Sequence, residues 1–266
     1  MSIKFEDLSE EYVRLWSTMS LRPGWVEKAA TAAKRIFSKK NNYHTVESLT
    51  GVPWFVVGLI HQMECDLDFQ GHLHNGDSLS ARTCNEPIGR PLGGRPPFLW
   101  SDSAADAIRH DKLDQVAPWT CERLAFELEK YNGFRSRTQH KINTPYLWSG
   151  TNHYERGKYV RDNVWDGAVA SKQVGAMPIL HELMQLDASI ADVLKSRTSV
   201  DAAGHVREIE LTTVVENSEF DVQALQRRMR DLPLYRDEID GICGPRTRDA
   251  IKAHYATKFG LARLAR

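Results

Sequence analysis

The sequence contains few cysteines, and none of them forms a Cys-x-x-Cys pair. Cys65, Cys84, Cys121 and Cys243 are scattered over a chain of 266 residues. A zinc ribbon requires paired cysteines at short spacing, and a small secreted scaffold requires a denser set for its disulfides. A cysteine nucleophile, Cys65 or Cys84 beside a histidine, would need a base and an orienting group that the sequence does not place. We therefore expect reduced, non-catalytic thiols.

The sequence also has no excess of charge, no long apolar run and no signal peptide. Thirty-five Lys and Arg residues balance 35 Asp and Glu residues, which excludes a chain-wide basic footprint for nucleic acid. The longest apolar stretch, residues 52–60, is shorter than the roughly 20 residues of a membrane-spanning helix. The first 20 residues are polar and acidic, unlike a signal peptide. We expect no nucleic-acid partner, no membrane insertion and synthesis in the cytoplasm.

The sequence patterns predict a mainly α fold. Hydrophobic residues make up 41% of the chain and charged residues 26%, as is ordinary for a globular protein. Apolar residues at helical spacing predict helices over residues 5–38, 53–64, 101–109, 119–131 and 167–184. The helix predicted over residues 53–64 is apolar on nearly every face, which is typical of a helix at the centre of a domain. We expect Thr50 to cap its N-terminus. A long irregular segment rich in Gly, Pro, Asn and His, residues 69–98, has the properties of a functional loop.

One acidic residue, Glu64, ends the apolar helix beside this long loop. Burial raises the pKa of a carboxyl group because ionisation then loses hydration, and the negative end of the helix dipole acts in the same direction. General-acid cleavage of a glycosidic bond needs a carboxyl that stays protonated near neutral pH. Asp77 lies in a polar Asn-Gly-Asp-Ser setting that favours its ionised form. We therefore expect Glu64 to act as the acid and Asp77 as its partner, with Asp66 and Asp68 as competitors for the partner role.

Two alternatives concern the same region. Glu64 could pair with a neighbouring His or Arg and merely end a core helix, as most charged residues have structural or solvated roles. His61, His72 and His74 together with Glu64 could instead bind zinc. The sequence has no His-Glu-x-x-His motif, so we predict no metal and no other cofactor.

Three segments together resemble the lysozyme-like muramidases, a group that includes goose-type lysozymes, soluble lytic transglycosylases and a bacterial and phage lysozyme family. They are Val-Pro-Trp-Phe-Val-Val-Gly-Leu-Ile-His-Gln-Met-Glu at 52–64, Phe-Gln-Gly-His-Leu-His-Asn-Gly-Asp at 69–77 and Pro-Tyr-Leu-Trp-Ser-Gly-Thr-Asn-His-Tyr at 145–154. The resemblance spans roughly residues 10–185. It implies a lysozyme-like helical catalytic domain, here residues 1–186, in which Glu64 is the catalytic acid.

Polar and aromatic residues of two loops, residues 69–98 (the first loop) and residues 144–159 (the second loop), and of residues 131–132 are candidates for binding a polysaccharide. Aromatic rings stack on sugar faces, and amides bond N-acetyl and hydroxyl groups. We expect substrate contacts from Gln70, His72, Asn75, Tyr131, Asn132, Tyr146, Trp148, Asn152 and Tyr154. For any single aromatic residue, packing in the core is the alternative.

The C-terminal part of the chain has a different composition. Residues 187–217 contain no aromatic residue and predict a linker that carries a short helix and a strand at 207–215. Residues 218–266 contain Val-Gln-Ala-Leu-Gln-Arg-Arg-Met and Asp-Gly-Ile-Cys-Gly-Pro-Arg-Thr-Arg-Asp-Ala-Ile, and they resemble the three-helix peptidoglycan-binding domain of many cell-wall hydrolases. The resemblance implies a small wall-binding module that includes Gln226, Asp240, Gly241, Gly244 and Thr247.

These expectations combine into one function. We expect an endolysin-type hydrolase that cleaves the β-1,4 bond between N-acetylmuramic acid and N-acetylglucosamine, with bacterial peptidoglycan as its partner. The protein would be a monomer that accumulates in the host cytoplasm and reaches the wall through a separate pore. The alternatives are a lytic transglycosylase acting on the same bond, a zinc-dependent amidase or peptidase, and a non-catalytic wall-binding protein with a degenerate lysozyme fold.

Overall fold

The structure, a computed structural model, describes residues 3–161, residues 163–196 and residue 226. The chain divides into two compact units, residues 1–205 and 206–266, and the fold below is that of the first. Gln226 is helical and buried. The linker strand at 207–215 and the module residues Asp240, Gly241, Gly244 and Thr247 lie outside the described residues. The domain boundaries at 186 and 218 therefore stay predictions.

The described part of the first unit is mainly helical, as predicted. Its α-helices are α1 (Ser9–Ser17), α2 (Val26–Phe37), α3 (Lys40–Thr50), α4 (Trp54–Cys65), α5 (Trp100–His110), α6 (Cys121–Asn132), α7 (Arg135–His140), α8 (Pro145–Trp148), α9 (Ala176–Leu186) and α10 (Ser189–Ser196). Two strands, β1 (Lys158–Arg161) and β2 (Val164–Asp166), pair as an antiparallel hairpin. No helix among the described residues has the length and apolar content needed to cross a membrane.

Helix α4 is the centre of the core. Its first ten residues are buried, and it packs against α2, α3 and α9. Gly58 permits the close approach of α2, since a Cβ atom at this position would lie 2.5 Å from Cγ2 of Ile36. The predicted apolar helix is thus confirmed, and its last turn reaches the surface.

The start of α4 differs from the prediction that Thr50 caps it. Thr50 still belongs to α3, and its hydroxyl donates a hydrogen bond of 2.8 Å to the carbonyl of Val46. Gly51 then adopts a left-handed conformation (φ 76°) and ends α3, so that Pro53 is the residue preceding α4. The prediction for Thr50 is wrong because residues 40–50 form a helix of their own, α3, and Thr50 is its last residue.

Two other predicted elements have different bounds. The single helix expected over 5–38 is divided into α1 and α2, and the segment between them bonds to the second loop through an isolated bridge between Leu21 and Thr151. The helix expected over 167–184 begins only at Ala176. The preceding backbone bonds to other segments instead: the Val169 carbonyl accepts a hydrogen bond of 2.9 Å from the Gly157 N–H, and the Gly175 N–H donates one of 2.9 Å to the Ser149 carbonyl.

Candidate active site

Glu64 lies in the last turn of α4, and its side chain is exposed. The Tyr146 hydroxyl donates a hydrogen bond of 2.8 Å to its Oε1 atom. Among the residues that the structure describes, no ion pair involves Glu64. The described contacts therefore do not support the alternative in which Glu64 merely pairs with a His or Arg.

The surroundings of Glu64 raise its pKa. Desolvation by the protein atoms around the carboxyl is the main cause; the hydrogen bond from Tyr146 opposes it, and the negative charge of Asp111 adds to it. The direction of the shift agrees with the expectation drawn from the apolar helix, and it keeps Glu64 protonated to higher pH.

Asp111 is a second acidic residue near Glu64, and it was not predicted from the sequence. It directly follows α5 and is half-buried; desolvation raises its pKa, while the charges of His110 and Lys130 lower it. Both Glu64 and Asp111 raise the pKa of the Tyr131 hydroxyl. The three groups therefore lie within electrostatic reach of one another. No local motif marks Asp111, because only the fold brings the end of α5 to the end of α4.

Two of the predicted sugar-binding tyrosines lie beside these carboxyls. Tyr146 belongs to the short helix α8, which Thr144 caps by accepting a hydrogen bond of 3.3 Å from the Tyr146 backbone N–H. Tyr131 lies near the end of α6, and its hydroxyl donates a hydrogen bond of 3.2 Å to the carbonyl of Leu73. Asn132 is exposed, and its amide makes a long contact of 3.5 Å with the Thr144 hydroxyl. The structure thus brings α4, α6 and α8 together around one carboxyl.

Asp77 organises the first loop. Its carboxylate accepts hydrogen bonds from the backbone N–H groups of Cys84 and Asn85 and from the side-chain amides of Asn85 and Asn75, at 2.7–3.2 Å. The Asn85 backbone N–H is the largest cause that lowers its pKa, so the expected preference for the ionised form is met. Three of these bonds are to Oδ2 and one is to Oδ1, so most of the hydrogen-bonding capacity of the carboxylate is used inside the loop. The catalytic role of Asp77 stays a prediction, while its contacts indicate a structural one.

The other candidates in the first loop have different environments. His72 is fully buried, and its ring nitrogens bond the Ser103 hydroxyl at 2.6 Å and the Ala81 carbonyl at 2.8 Å. This burial corrects the expected substrate contact, because His72 has no surface to offer a ligand. The side chain of Asn75 bonds within the loop, to Asp77 and to neighbouring carbonyl groups. Gln70 is exposed, and its role stays a prediction.

The second loop holds three further candidates, and their contacts are structural. Trp148 is fully buried in the core. Tyr154 is 5% exposed, and its hydroxyl donates a hydrogen bond of 3.0 Å to the carbonyl of Gly157. Asn152 is exposed, but its amide bonds the backbone of residues 18 and 20. Burial corrects the expected sugar contacts of Trp148 and Tyr154, whereas Asn152 joins the loop to the segment between α1 and α2.

The histidines that suggested zinc are engaged in the core. His61 is fully buried; its ring nitrogens bond the Tyr43 hydroxyl and the Asp68 carbonyl, each at 3.1 Å, and burial lowers its pKa to about 4. His74 contacts the Asp106 carboxylate through Nε2 at 3.0 Å. The described part of the chain holds no group of three or more His, Cys, Asp or Glu side chains arranged to bind a metal.

The thiol of Cys65 is poorly suited to nucleophilic catalysis. Burial, with smaller contributions from Glu64 and Asp68, raises its pKa to about 12. The thiolate is the nucleophilic form of cysteine, so very little of it exists near neutral pH. The contacts of Cys65 therefore do not favour a catalytic thiol at this site.

A protonated carboxyl at an accessible surface can transfer its proton to a bound oxygen atom. The phenol of Tyr146 fixes one oxygen of the Glu64 carboxyl, and Asp111 supplies negative charge nearby.

Comparisons of the chain with models of protein families, with curated proteins and with solved structures found no match.

Proposed function

We propose that the chain is a peptidoglycan glycosidase that cleaves the β-1,4 bond between N-acetylmuramic acid and N-acetylglucosamine. In this proposal residues 1–186 form a lysozyme-like catalytic domain, and residues 218–266 bind the cell wall. The observation that carries it is Glu64, an exposed carboxyl with a raised pKa whose bonded partner is a phenol and not a cation. A general acid needs this combination, since it must reach its substrate and still hold its proton at the working pH.

The geometry assigns a task to each group of the site. Because the Tyr146 hydroxyl donates to Oε1 of Glu64, Oε1 acts as the acceptor and Oε2 carries the acidic proton. Glu64 gives this proton to the leaving glycosidic oxygen as the bond breaks and positive charge develops on the sugar ring. The anomeric carbon then forms a bond to water in hydrolysis, or to the muramic 6-hydroxyl in transglycosylation, and the attacking group loses its proton. Asp111, when ionised, stabilises that charge by electrostatic attraction.

Two substitutions should move the pH dependence of cleavage in opposite directions. The activity of a general acid is lost as the pH rises through its pKa. Tyr146→Phe removes a hydrogen bond that lowers the Glu64 pKa, so the alkaline limb of the kcat/KM profile should move to higher pH. Asp111→Asn removes a charge that raises this pKa, so the limb should move to lower pH. Rates on a soluble chitooligosaccharide or glycan, measured across the pH range, provide the comparison.

Tyr159→Phe is the matched control for the loss of a phenol. The Tyr159 hydroxyl bonds Gln139 and His140, so this variant should keep the wild-type profile. Shifts of the same sign in Tyr146→Phe and Asp111→Asn would contradict the assigned electrostatics.

Digestion of purified sacculi by the full chain tests the proposed reaction. Mass spectrometry should find glycan fragments that end in N-acetylmuramic acid, either as reducing ends from hydrolysis or as 1,6-anhydro ends from transglycosylation. Release of free peptides without new glycan ends would indicate an amidase or peptidase. Protein that sediments with sacculi and generates no new ends would indicate a non-catalytic wall binder. Either of these last two results would overturn the proposal.

A further inference from the structure

The three most exposed large apolar side chains among the described residues lie close together in the chain. Ile88 and Leu92 belong to the first loop and are 66% and 71% exposed, and Leu99, the residue after the loop, is 70% exposed. The other exposed large apolar residues of the described part are at most 50% exposed. A concentration of exposed apolar side chains marks an interaction surface. We call Ile88, Leu92 and Leu99 the aliphatic residues of the loop.

Hydrogen bonds close the tip of this loop into a turn. The Thr83 N–H donates to the Arg90 carbonyl, and the Thr83 hydroxyl accepts from the Arg90 N–H, each at 2.8 Å. The Thr83 carbonyl accepts a further hydrogen bond of 2.8 Å from the Gly89 N–H. Ile88 lies inside this turn, so its side chain is exposed on an ordered backbone.

A second set of contacts joins the two sides of the loop nearer its base. The Arg82 guanidinium donates a hydrogen bond of 3.1 Å to the Gly94 carbonyl and lies 5.5 Å from the centre of the Phe98 ring. Leu92 lies between the contacts made at positions 90 and 94, and Leu99 directly follows Phe98. The three aliphatic residues therefore belong to one ordered segment.

The charge of this segment is positive. Residues 80–99 contain three arginines, Arg82, Arg90 and Arg95, and one acidic residue, Glu86. Arg90 contacts the Asp106 carboxylate at 3.5 Å. Arg82 and Arg95 are exposed, and neither has an ion-pair partner among the residues that the structure describes. Two arginines without a carboxylate partner thus accompany the aliphatic residues, and they favour an anionic partner.

The combination of aliphatic side chains and unpaired arginines fits the surface of an anionic phospholipid membrane. Apolar side chains enter the boundary between headgroups and acyl chains, and basic groups are attracted to anionic lipids. The residues that dominate binding between proteins are enriched in Trp and Tyr, whereas Leu is under-represented. Between residues 79 and 99 the one Phe, Tyr or Trp residue is Phe98, and it is buried. The composition therefore favours a lipid surface over a protein partner.

We propose that this loop docks on a membrane surface that contains anionic phospholipids. Ile88, Leu92 and Leu99 enter the boundary between the lipid headgroups and the acyl chains, and Arg82 and Arg95 lie near the lipid phosphates. The contact is peripheral, because only side chains of one loop enter the lipid and no segment crosses it. The assignment does not depend on glycan cleavage, since none of these residues belongs to the candidate active site.

Sedimentation of the full chain with large unilamellar vesicles tests this assignment. The wild type should bind vesicles of phosphatidylcholine with one quarter phosphatidylglycerol at least about fivefold more tightly than vesicles of phosphatidylcholine alone. The double variant Ile88→Ser/Leu92→Ser should bind the mixed vesicles roughly tenfold or more weakly, since two apolar side chains no longer leave water. Arg95→Gln should lose about fivefold, the usual contribution of one basic residue near an anionic surface.

Matched controls carry the same kinds of change elsewhere in the first unit. Val13→Ser/Val26→Ser replaces two exposed apolar residues of α1 and α2, and Arg156→Gln neutralises an exposed arginine of the second loop. Both variants should bind the mixed vesicles as the wild type does. All of the changed side chains are exposed, and thermal melts confirm that each variant is folded.

Four results would overturn the assignment. They are no binding of the wild type to the mixed vesicles, equal binding by Ile88→Ser/Leu92→Ser, equal binding of the wild type to the mixed and the neutral vesicles, and a wild-type dimer in sedimentation velocity that the double variant does not form. The last result would show that the aliphatic residues cover a second copy of the chain. Cleavage of sacculi enters none of these measurements, so a failure of the proposed function and a failure of the membrane contact are distinguishable.

Discussion

Replacing Glu64 by Gln should reduce the rate of glycan cleavage by at least about 100-fold, the usual contribution of a general acid. The amide has the size of the carboxyl, and its oxygen can still accept the hydrogen bond that Tyr146 donates to Oε1. The variant therefore keeps the local contacts and loses only the transferable proton. The appearance of reducing or anhydro ends in digests of purified sacculi measures the rate.

Two controls test whether the loss of cleavage is due to the missing Glu64 carboxyl. Glu10→Gln, the same substitution at an exposed residue of α1, should cleave at the wild-type rate. The melting temperature and the sedimentation of Glu64→Gln with sacculi should match those of the wild type. Wild-type cleavage by Glu64→Gln would remove Glu64 from the mechanism.

Replacing Arg137 by Met should lower the free energy of unfolding by about 3–5 kcal/mol, the usual cost of removing one partner of a buried ion pair. Arg137 bonds both carboxylate oxygens of Glu129, at 3.0 and 3.1 Å, and also bonds Glu11. Glu129 is fully buried and accepts a further hydrogen bond from the Tyr12 hydroxyl. Without the guanidinium group, the Glu129 charge is left buried and uncompensated beside Glu11.

Urea unfolding followed by tryptophan fluorescence suits this measurement. All seven tryptophans precede residue 166, so the signal reports on the first unit alone and not on residues 206–266. Arg135→Met is the matched control, because Arg135 is exposed; among the described residues its guanidinium bonds the Asn163 side chain and lies over the Tyr159 ring. We expect it to cost at most about 1 kcal/mol. Equal losses in the two variants would contradict the role given to the buried ion pair.

The sequence was sufficient to predict α4 and the position of Glu64 because both depend on a local pattern. A helix that is apolar on nearly every face has to be buried, and the charged residue in its last turn, Glu64, lies where the buried surface ends. The same reasoning failed for α3. Its polar residues have no strong helical signal of their own, and packing of Tyr43 and Val46 against the core decides the structure there.

The candidate site was only partly predictable, since composition does not tell where a polar side chain finds its partners. Asp77 and His72 satisfy their hydrogen bonds inside the protein, whereas Tyr146 bonds the candidate acid. In the sequence alone, Asp77, His72 and Tyr146 are equally suited to contact a ligand. Asp111 gave no signal at all, because its relation to Glu64 depends on where two helices end in space.

The pKa of Glu64 depends on groups from helices that lie far apart in the chain. The packing around α4 desolvates the carboxyl and raises its pKa. The hydrogen bond from Tyr146 in α8 lowers this pKa, and the negative charge of Asp111 at the end of α5 raises it. Selection for a different habitat could therefore retune the working pH of such an enzyme through substitutions in α5 or α8, while the helix that bears the acid remains unchanged.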